Sequence, residues 1–523
     1  MTGKHLLALF GLSLAVLLFA ASFQSAAGYM DADYHLYMGD RIASGQGFSE
    51  ELIWNYLDAP QILPHASHSY WPPLPSMLAA LGPWTFPLAD AFSAGRAATI
   101  LLSAAISPLT ALLAFQLTRR KATALFAGLL AMVSIYYLPF LTTTDSFSPS
   151  MVLGLLFFLL IVRIEARKDS KTIPLSLGLT AGLLHLTRAE GLLWLLLAIL
   201  AYSLPQWKKG IEINGLIFVA AGYFIIMLPW FVRNQVQFSS VLAPGALKTL
   251  WLSNYDELFS FPASQLNMAN WLSSGWQAIV AARWWAIGQN LVTAFVVQGE
   301  IFLAPLIILG GWNLRRRHAV SLAGIAWTLL FIAMSLFFPF TGVRGGFFHA
   351  AAVLQPLIWV LAALGLELFV DWGVGTRSWN KQSALRVFRG AALLFGLVLS
   401  VFVFRQRVVG SELDNPNWNE SFNHYQEIGE VIGNYSGSAD YLVMVNNPPG
   451  FALAADRPAI VIPDGDLSAS LAAAKTFGVD YLLLETDHPQ GLDHIYERPE
   501  DAEGMELLTS FDGTHIFRVG AGD

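Results

Sequence analysis

Residues 29–75 read YMDADYHLYMGDRIASGQGFSEELIWNYLDAPQILPHASHSYWPPLP and lie between two long apolar segments. Their acids and histidines are Asp31, Asp33, His35, Asp40, Glu50, Glu51, Asp58, His65 and His68. A connector that only joins two membrane spans is usually far shorter. Because functional side chains are often placed on loops held by a rigid scaffold, we expect the chemistry of the protein in this segment.

The composition is that of an integral membrane protein. Of 523 residues, 55% are hydrophobic and only 13% are charged, and the mean hydropathy is +0.52. A net charge of -7 excludes a general nucleic-acid surface, so no nucleic-acid partner is expected. The absence of cysteine excludes disulfides, thiolate metal sites and a cysteine nucleophile.

Eleven apolar segments are of the kind that crosses a bilayer. They cover residues 6–23, 97–117, 122–140, 148–164, 173–187, 190–205, 213–231, 289–310, 319–338, 350–370 and 391–408. A cleaved signal peptide is the alternative for the first, because Ser25-Ala26-Ala27 follows it, but its apolar run exceeds the usual signal-peptide core. The sequence therefore predicts an α-helical polytopic membrane protein with about eleven transmembrane helices.

The basic residues predict how these helices are oriented. Lys and Arg cluster at every second turn, at Arg119-Arg120-Lys121, 163–171, Lys208-Lys209, Arg315-Arg316-Arg317 and 377–389. Because such clusters favour the cytoplasmic side, the N-terminus is predicted to be cytoplasmic and the first loop, residues 24–96, extracytoplasmic. The same alternation requires that residues 74–92 do not cross the bilayer, so we interpret them as an interfacial or re-entrant segment.

The composition changes after residue 409, where apolar runs shorten and acids accumulate. The pattern predicts helices at 427–435 and 467–477, strands at 441–445, 459–462 and 481–485, and a hairpin over 507–519 around Asp512-Gly513. We therefore divide the chain into a membrane domain, residues 1–410, and a small soluble extracytoplasmic α/β domain, residues 411–523.

The pair Asp31-Ala32-Asp33 directly follows the first apolar segment. On an extended backbone, residues two apart point to the same side, so both carboxylates would face one ligand. Carboxylates at a membrane surface can deprotonate a hydroxyl or hold a divalent cation. A solvated turn or a helix N-cap is the alternative interpretation of this short motif.

Asp145 lies in LPFLTTTDSF, in a short predicted loop on the same bilayer face as Asp31. It is a second candidate catalytic acid. The alternative is that Asp145 caps the following span.

Four arginines lie at the outer ends of apolar segments: Arg96, Arg188, Arg233 and Arg344. A guanidinium group suits phosphate oxygens, and a charge this close to hydrocarbon is unfavourable unless it is paired or functional. We therefore treat them as candidate phosphate-binding residues. Internal pairing, for instance of Arg188 with Glu190, or snorkelling to headgroups is the alternative.

His65 and His68, in PHASHSYWPP, are candidate metal ligands together with nearby acids. The alternative is that they are polar loop residues without a metal.

Taken together, these residues resemble the glycosyltransferase-C superfamily, particularly the protein O-mannosyltransferase and aminoarabinose transferase families that use polyprenyl-phosphate sugars. The resemblance covers roughly residues 1–405. It is carried by DADYHLYMGDRIASGQGF, YWPPLPSMLAALG, LPFLTTTDSF, GLLHLTRAEGLL, LPWFVRNQ and TGVRGGFFHAAAVLQP. The PHASHSYW segment and the α/β tail are not part of the common pattern.

The resemblance implies a membrane glycosyltransferase that moves a hexose or pentose, with inversion, from a polyprenyl-phosphate donor to a protein, lipid or glycan hydroxyl. It implies a first-loop acid as base, matched by Asp31, and a second-loop acid that aids catalysis or binds metal, matched by Asp145. It also implies basic side chains that hold the lipid phosphate, and Arg344 matches the late-span arginine among them. Many relatives have an Asp-Glu pair where this chain has Asp31-Ala32-Asp33, so Asp33 is the alternative base. The cofactor that this pattern allows is a divalent metal ion.

Two other classes of function compete with the enzyme. A lipid-linked-sugar flippase or other transporter predicts charges near midspan and broken helices in paired positions. The charges of this sequence instead concentrate at span ends. A non-catalytic surface-binding protein would use the α/β tail as its binding module and would not need the loop acids.

Overall fold

The computed structural model describes residues 1–87, 89–166, 172–204, 213–436 and 440–520. It is mostly helical, with a small sheet near the C-terminus, as the sequence predicts. Two of the basic clusters used to predict orientation, the end of 163–171 and Lys208-Lys209, lie outside the described residues.

The membrane part is built from helices of very different lengths. They are α1 Gly3–Ala21, α2 Met30–Ala43, α3 Leu74–Thr85, α4 Ala91–Thr118, α5 Lys121–Val133, α6 Phe147–Ala166, α7 Thr172–Thr187, α8 Leu192–Ser203, α9 Ile213–Phe238, α10 Pro244–Lys248, α11 Met268–Ser273, α12 Trp276–Thr293, α13 Ala304–Leu314, α14 His318–Ile332, α15 Pro339–Thr341, α16 Phe347–Ala351, α17 Gln355–Arg377 and α18 Lys381–Phe404.

Seven helical stretches of the described residues are long and apolar enough to cross a membrane, and four further apolar helices are shorter. Of these, α6 and α17 are mostly buried inside the protein, whereas α1, α9 and α18 leave most of their apolar side chains exposed. An exposed apolar face on a helix of this length suits lipid contact. The helices therefore form a packed centre with a lipid-facing periphery, and the number of spans stays a prediction.

Glycine allows some of these helices to pack with their backbones in close contact. A Cβ added at Gly178 in α7 would lie 2.0 Å from the carbonyl oxygen of Val219 in α9. One added at Gly154 in α6 would lie 2.2 Å from the carbonyl oxygen of Val353. Small residues are the usual means by which membrane helices approach this closely.

The predicted apolar segment 289–310 is not one continuous helix. Helix α12 and a π-helical turn, Ala294–Gln298, end before a break at residues 299–303, and α13 begins at Ala304. Within the break, Glu300 and Ile301 both have positive φ values, which end the helix. Hydrophobicity continues across the break, which is why the sequence pattern did not show it.

The first loop is folded rather than extended. Residues 30–43 form α2, so the prediction of an extended backbone at Asp31-Ala32-Asp33 is wrong. Residues 74–85 form the 12-residue α3, which at 1.5 Å per residue is shorter than a bilayer span. The interpretation of residues 74–92 as an interfacial or re-entrant segment is compatible with this length. Two short strands, β1 Ser49–Glu50 and β3 His65–Ala66, pair antiparallel.

The C-terminal region forms an α/β unit that contains the predicted helices and strands and two helices, at residues 448–455 and 493–497, that were not predicted. Its helices are α19 Glu420–Tyr435, α20 Pro448–Ala455, α21 Leu467–Phe477 and α22 Asp493–Glu497. Its strands are β4 Val443–Val445, β5 Ala459–Val461, β6 Tyr481–Leu484, β7 Met505–Phe511 and β8 Thr514–Val519.

The sheet of this unit also includes a strand from the first loop. Its order is β2-β5-β4-β6-β8-β7, in which β2, Leu52–Ile53, pairs parallel to β5. Strands β5 and β6 lie parallel to β4 on its two sides, and β8 and β7 continue the sheet antiparallel. Ile53 and Tyr56 are buried in the same apolar cluster as Met444 and Leu482. The first loop and the tail therefore share one core.

Candidate active site

A cavity of about 430 Å³ lies where the first loop meets the ends of several helices. Asp31, Asp145, Arg188 and Arg344 all line it. These residues are distant in sequence and come from α2, the loop before α6, the turn after α7 and the turn before α16. The structure therefore brings four of the predicted site residues to one place.

Asp145 is buried at the wall of the cavity, and both of its carboxylate oxygens accept hydrogen bonds. Its Oδ2 accepts hydrogen bonds from the Tyr29 hydroxyl and from His349 Nε2, the latter at 3.1 Å, and its Oδ1 accepts from the Ser146 amide. Burial opposes ionisation of Asp145, but the charge and hydrogen bond of His349 outweigh it and hold the pKa of Asp145 below its usual range. Asp145 is therefore an anion that fixes its neighbours.

Asp31 is the more accessible of the two acids. It lies in the first turn of α2, and its side chain is 31% exposed, against 1% for Asp145. Its Oδ2 lies 3.7 Å from His349 Nε2. Burial is the main cause that raises the pKa of Asp31 to about 6, partly offset by the charge of His349. A carboxylate with free access and a raised pKa is suited to accept a proton.

His349 joins the two acids and is a site residue that the sequence analysis missed. Its Nδ1 donates to the Gly345 carbonyl at 3.0 Å, which leaves Nε2 directed at Asp145 and Asp31. Since a carbonyl and a carboxylate both only accept, the ring is either an imidazolium or bound to a cation through Nε2. The available signal was its position in TGVRGGFFH, five residues after Arg344.

The same three residues form a candidate metal centre. One ligand atom each from Asp31, Asp145 and His349 lies within 4.8 Å of the others, and no other such group is found among the described parts of the chain. Two carboxylates and an imidazole suit a divalent ion such as Zn²⁺ or Mn²⁺. The residues therefore fit a divalent cation.

Asp33, the alternative base, does not line the cavity. In a helix, residues two apart point to different sides, and Asp33 is directed away from Asp31 toward the C-terminal unit. It is 5% exposed, and its Oδ2 accepts a hydrogen bond from Asn447 Nδ2 at 3.0 Å. Burial raises the pKa of Asp33 to about 7, although the hydrogen bond from Asn447 opposes the rise.

Two of the four predicted phosphate-binding arginines line the cavity, and they differ in how they are paired. Arg188 Nε pairs with Glu190 Oε1 at 2.5 Å, which is the internal pairing considered from the sequence. Arg344 stacks on the Tyr255 ring at 4.9 Å, and no carboxylate of the described residues pairs with it. Arg344 is therefore the cavity cation available to an anionic ligand.

Arg96 and Arg233 lie elsewhere and hold backbone in place. Arg96 Nη1 donates to the carbonyl oxygens of Ala21 and Gln24, at 3.1 and 2.9 Å. Arg233 Nη2 donates to the carbonyl oxygens of Phe48 and Ser67, at 3.2 and 2.7 Å. Neither lines the cavity, so the structure does not bring them together with Arg344.

His65 and His68 also occupy separate environments. His65 lies between Glu50 and Asp58, with nitrogen to oxygen distances of 3.2 and 3.6 Å. His68 lines the cavity, but its ring nitrogens contact Ser67 and Ser76 hydroxyls. Neither belongs to the Asp31, Asp145 and His349 group.

The remaining cavity wall is strongly aromatic. Trp54 and Trp71 stack with their ring centroids 3.8 Å apart, and Trp230, Tyr70 and Tyr255 complete this wall. Trp71 also donates a hydrogen bond to Asp31. Aromatic rings beside carboxylates give a pocket that can contact an apolar ring face and polar hydroxyls together.

Comparison with known proteins establishes similarity at the level of the fold. No protein-family model matches the chain, and no curated protein matches it by sequence. The structure is similar to that of ArnT from Cupriavidus metallidurans bound to undecaprenyl phosphate, with a TM-score of 0.60 and 12% identity over 100% of this chain and 99% of that chain.

Two other solved structures are also similar. The apo form of the Archaeoglobus fulgidus oligosaccharyltransferase has a TM-score of 0.55 and 15% identity over 98% of this chain and 75% of that chain. A mutant of the arabinofuranosyltransferase AftD from Mycobacteria has a TM-score of 0.53 and 12% identity over 100% of this chain and 42% of that chain. A further structure of the Archaeoglobus enzyme is a complex with Zn and sulfate. The chain thus has the glycosyltransferase-C fold, as the sequence resemblance implied.

Proposed function

We propose that this protein is a membrane glycosyltransferase that moves a sugar from a polyprenyl-phosphate donor to a hydroxyl acceptor, with inversion at the anomeric carbon. The observation that carries the proposal is the cavity itself. It combines an accessible carboxylate, Asp31, with an anchored one, Asp145, and a guanidinium, Arg344, that pairs with no carboxylate of the described residues. The shared fold with ArnT, a structure bound to undecaprenyl phosphate, supports the lipid donor.

Asp31 is assigned as the general base. It accepts the proton of the acceptor hydroxyl while that oxygen attacks the anomeric carbon. One displacement by the acceptor breaks the bond between the anomeric carbon and the phosphate oxygen, and the configuration inverts. Asp145 cannot easily take this part, because its two oxygens already accept bonds from Tyr29, His349 and the Ser146 amide.

Arg344 is assigned to the leaving group. The departing phosphate oxygen keeps the electron pair of the broken bond, so negative charge grows on polyprenyl phosphate during the reaction. A guanidinium without an internal carboxylate partner stabilises that charge more than one already paired, as Arg188 is with Glu190.

Asp31, Asp145 and His349 are the residues that would hold a divalent metal ion. When bound there, it would supply positive charge beside the sugar and the phosphate. Without it, the His349 ring keeps the two carboxylates at their observed separation by contacting both.

The site is proposed to face the extracytoplasmic side, with the N-terminus in the cytoplasm. The basic residues Arg119 and Arg120 lie at the opposite end of α4 from Asp90, which caps the helix near the first loop. Under the positive-inside rule this supports an extracytoplasmic position for the cavity and for residues 411–523. The partners are then the lipid-linked donor, the surrounding membrane lipid, and a protein, lipid or glycan acceptor.

The test is transfer from a labelled polyprenyl-phosphate sugar by membranes that contain the protein. Asp31→Asn should lower the rate of transfer by at least about 10²-fold, and Arg344→Ala should weaken use of the donor. Leu413→Ala, an exposed tail substitution, is the matched control. Transfer that persists when Asp31→Asn and Asp145→Asn are combined would rule out the assigned chemistry.

A further inference from the structure

The C-terminal unit contacts helix α2, which carries Asp31, through the edge of its sheet where ligands usually bind. In open α/β sheets, ligands bind at the carboxyl ends of strands where the strand order reverses. Here β5 and β6 flank β4, so β4 is that point. Asn447 follows β4 within two residues, and its Nδ2 donates to Asp33 of α2 at 3.0 Å.

Asn447 is itself held in a fixed orientation. Its Oδ1 accepts from the Gly450 amide at 3.1 Å and so caps α20, which fixes Nδ2 toward Asp33. A Cβ at Gly450 would lie 3.0 Å from Asp33 Oδ2, so the turn and the acid are in close contact. The bond joins residues 414 positions apart in sequence.

A second set of contacts holds the residues just before α2. Trp418 Nε1 donates to the Ala26 carbonyl at 3.1 Å, and both residues are buried. Asn419 contacts two further backbone atoms. Its Oδ1 accepts from the Ser25 amide at 2.8 Å, and its Nδ2 donates to the Phe23 carbonyl at 3.3 Å.

The packing at this second point is close. Gly28 has φ +94 and directly faces the Trp418 ring, so a Cβ there would lie 2.2 Å from the indole nitrogen. The Tyr29 ring packs edge-on against Trp418, with centroids 5.8 Å apart, and its hydroxyl donates to Asp145. The tail thus contacts a residue that bonds directly to the site.

We propose that the C-terminal unit is a positioning element of the active site, with Asn447 and the Trp418-Asn419 pair holding the chain on both sides of Asp31. None of these three residues touches the cavity, so each would act through residues 23–33. The effect of this positioning on catalysis rests on the function proposed above. The position of α2, however, can be measured without any transfer assay.

The experiment uses the full chain in lipid nanodiscs and exchanges the partners of one hydrogen bond. Asn447→Asp places two carboxylates at the position of that bond. The reciprocal pair Asp33→Asn with Asn447→Asp restores one donor and one acceptor. Arg518→Ala removes an exposed ion pair with Glu506 elsewhere in the tail and serves as the matched control. The readouts are amide hydrogen exchange over residues 23–43, kcat and the donor KM.

In Asn447→Asp we expect exchange over residues 23–43 to become about tenfold faster. We expect kcat to fall about 10²-fold, the scale of a 1 Å misplacement of a reacting group. The donor KM should change little, because Arg344 does not contact the tail residues involved. The reciprocal pair should restore both exchange and kcat, whereas Arg518→Ala should alter neither.

Trp418→Phe tests the second contact and covers the case in which Asn447→Asp does not fold. It keeps the ring against Gly28 but removes the indole donor, so exchange should increase mainly over residues 23–29. Unchanged exchange in both variants, or a reciprocal pair no better than Asn447→Asp, would overturn the proposal. So would faster exchange with an unchanged kcat.

The outcome also separates this proposal from the proposed function. A wild-type protein that transfers no sugar from the donor would defeat the function. Faster exchange in Asn447→Asp, reversed in the reciprocal pair, would still support the proposal that the C-terminal unit holds α2 in position.

Discussion

The two sides of α2 show how one helical turn can serve two purposes. On one side Asp31 faces an open cavity and contacts a histidine, whereas on the other Asp33 is buried against the C-terminal unit and bonds to an amide. The side chains are only two residues apart, and burial raises the pKa of both acids. Access, rather than residue type or position in sequence, separates the acid that can meet a substrate from the one that holds the helix.

The largest effect should come from removing the accessible acid. Asp31→Asn should lower kcat by about 10²- to 10⁴-fold, the usual contribution of a general base. Asp33→Asn keeps an oxygen that accepts from Asn447 and should cost at most about tenfold by the same scale. Steady-state transfer of labelled sugar measures both, and equal losses would contradict the distinction between the two sides.

A smaller loss is expected when the group between the acids is removed. His349→Ala should lower kcat roughly 10- to 100-fold, because Asp145 and Asp31 then lose the ring that fixes their separation. Treatment of the wild-type protein with a chelator tests whether a metal ion or the protonated His349 ring bridges Asp31 and Asp145. Activity lost to the chelator and restored by Zn²⁺ or Mn²⁺ would assign a metal ion, and activity retained would assign an imidazolium.

The arginines extend the same contrast between ligand contact and scaffold. Arg344→Ala should lower kcat/KM for the donor about 10- to 100-fold, the value of hydrogen bonds to a charged group. Arg344→Lys should recover part of this loss. Arg233→Ala should instead lower the melting temperature and leave the donor KM unchanged, because Arg233 bonds to the backbone of Phe48 and Ser67. A raised KM in Arg233→Ala would contradict this assignment.

The smallest expected effect concerns stability and pH at Asp33. The pKa of Asp33 is raised to about 7 in the folded protein. The contribution of protonated Asp33 to the free energy of unfolding is therefore fully present below about pH 4 and is lost as the pH rises through about 7. Asp33→Asn removes this loss. Its melting temperature relative to wild type should therefore be higher at pH 8 than at pH 5, by about 1 °C for each kcal/mol recovered in a chain of 523 residues. A difference that does not vary with pH would contradict the burial of this acid.

Local patterns in the sequence predicted much of the fold. Helix α21 occupies residues 467–477 as predicted, and the hairpin of β7 and β8 turns at Asp512-Gly513. Both depend on short-range signals, namely an Asp N-cap, a C-terminal glycine and a turn dipeptide. The break at residues 299–303 was not predicted, since hydrophobicity alone does not distinguish a straight helix from an interrupted one.

The candidate site was only partly predictable. Asp31, Asp145 and Arg344 were selected from residue type and position, and they do line one cavity. His349 was missed because its one signal, a position five residues after Arg344, is not a spacing typical of metal ligands or catalytic residues. The contact between Asp33 and Asn447 could not be predicted, because the two residues meet only through the tertiary arrangement of the first loop and the tail.

The pairing of β2 with β5 has a consequence for biogenesis. Leu52 and Ala459 are about 400 residues apart, so at 5 to 20 residues per second the ribosome makes the second about 20 to 80 s after the first. During that interval β2 has no strand partner, and Asp33 lacks the Asn447 side chain that bonds to it. The sheet that joins the first loop to the tail is therefore completed last, when the end of the nascent polypeptide returns to its beginning, and a truncated product would lack the bonds that hold the chain on both sides of Asp31.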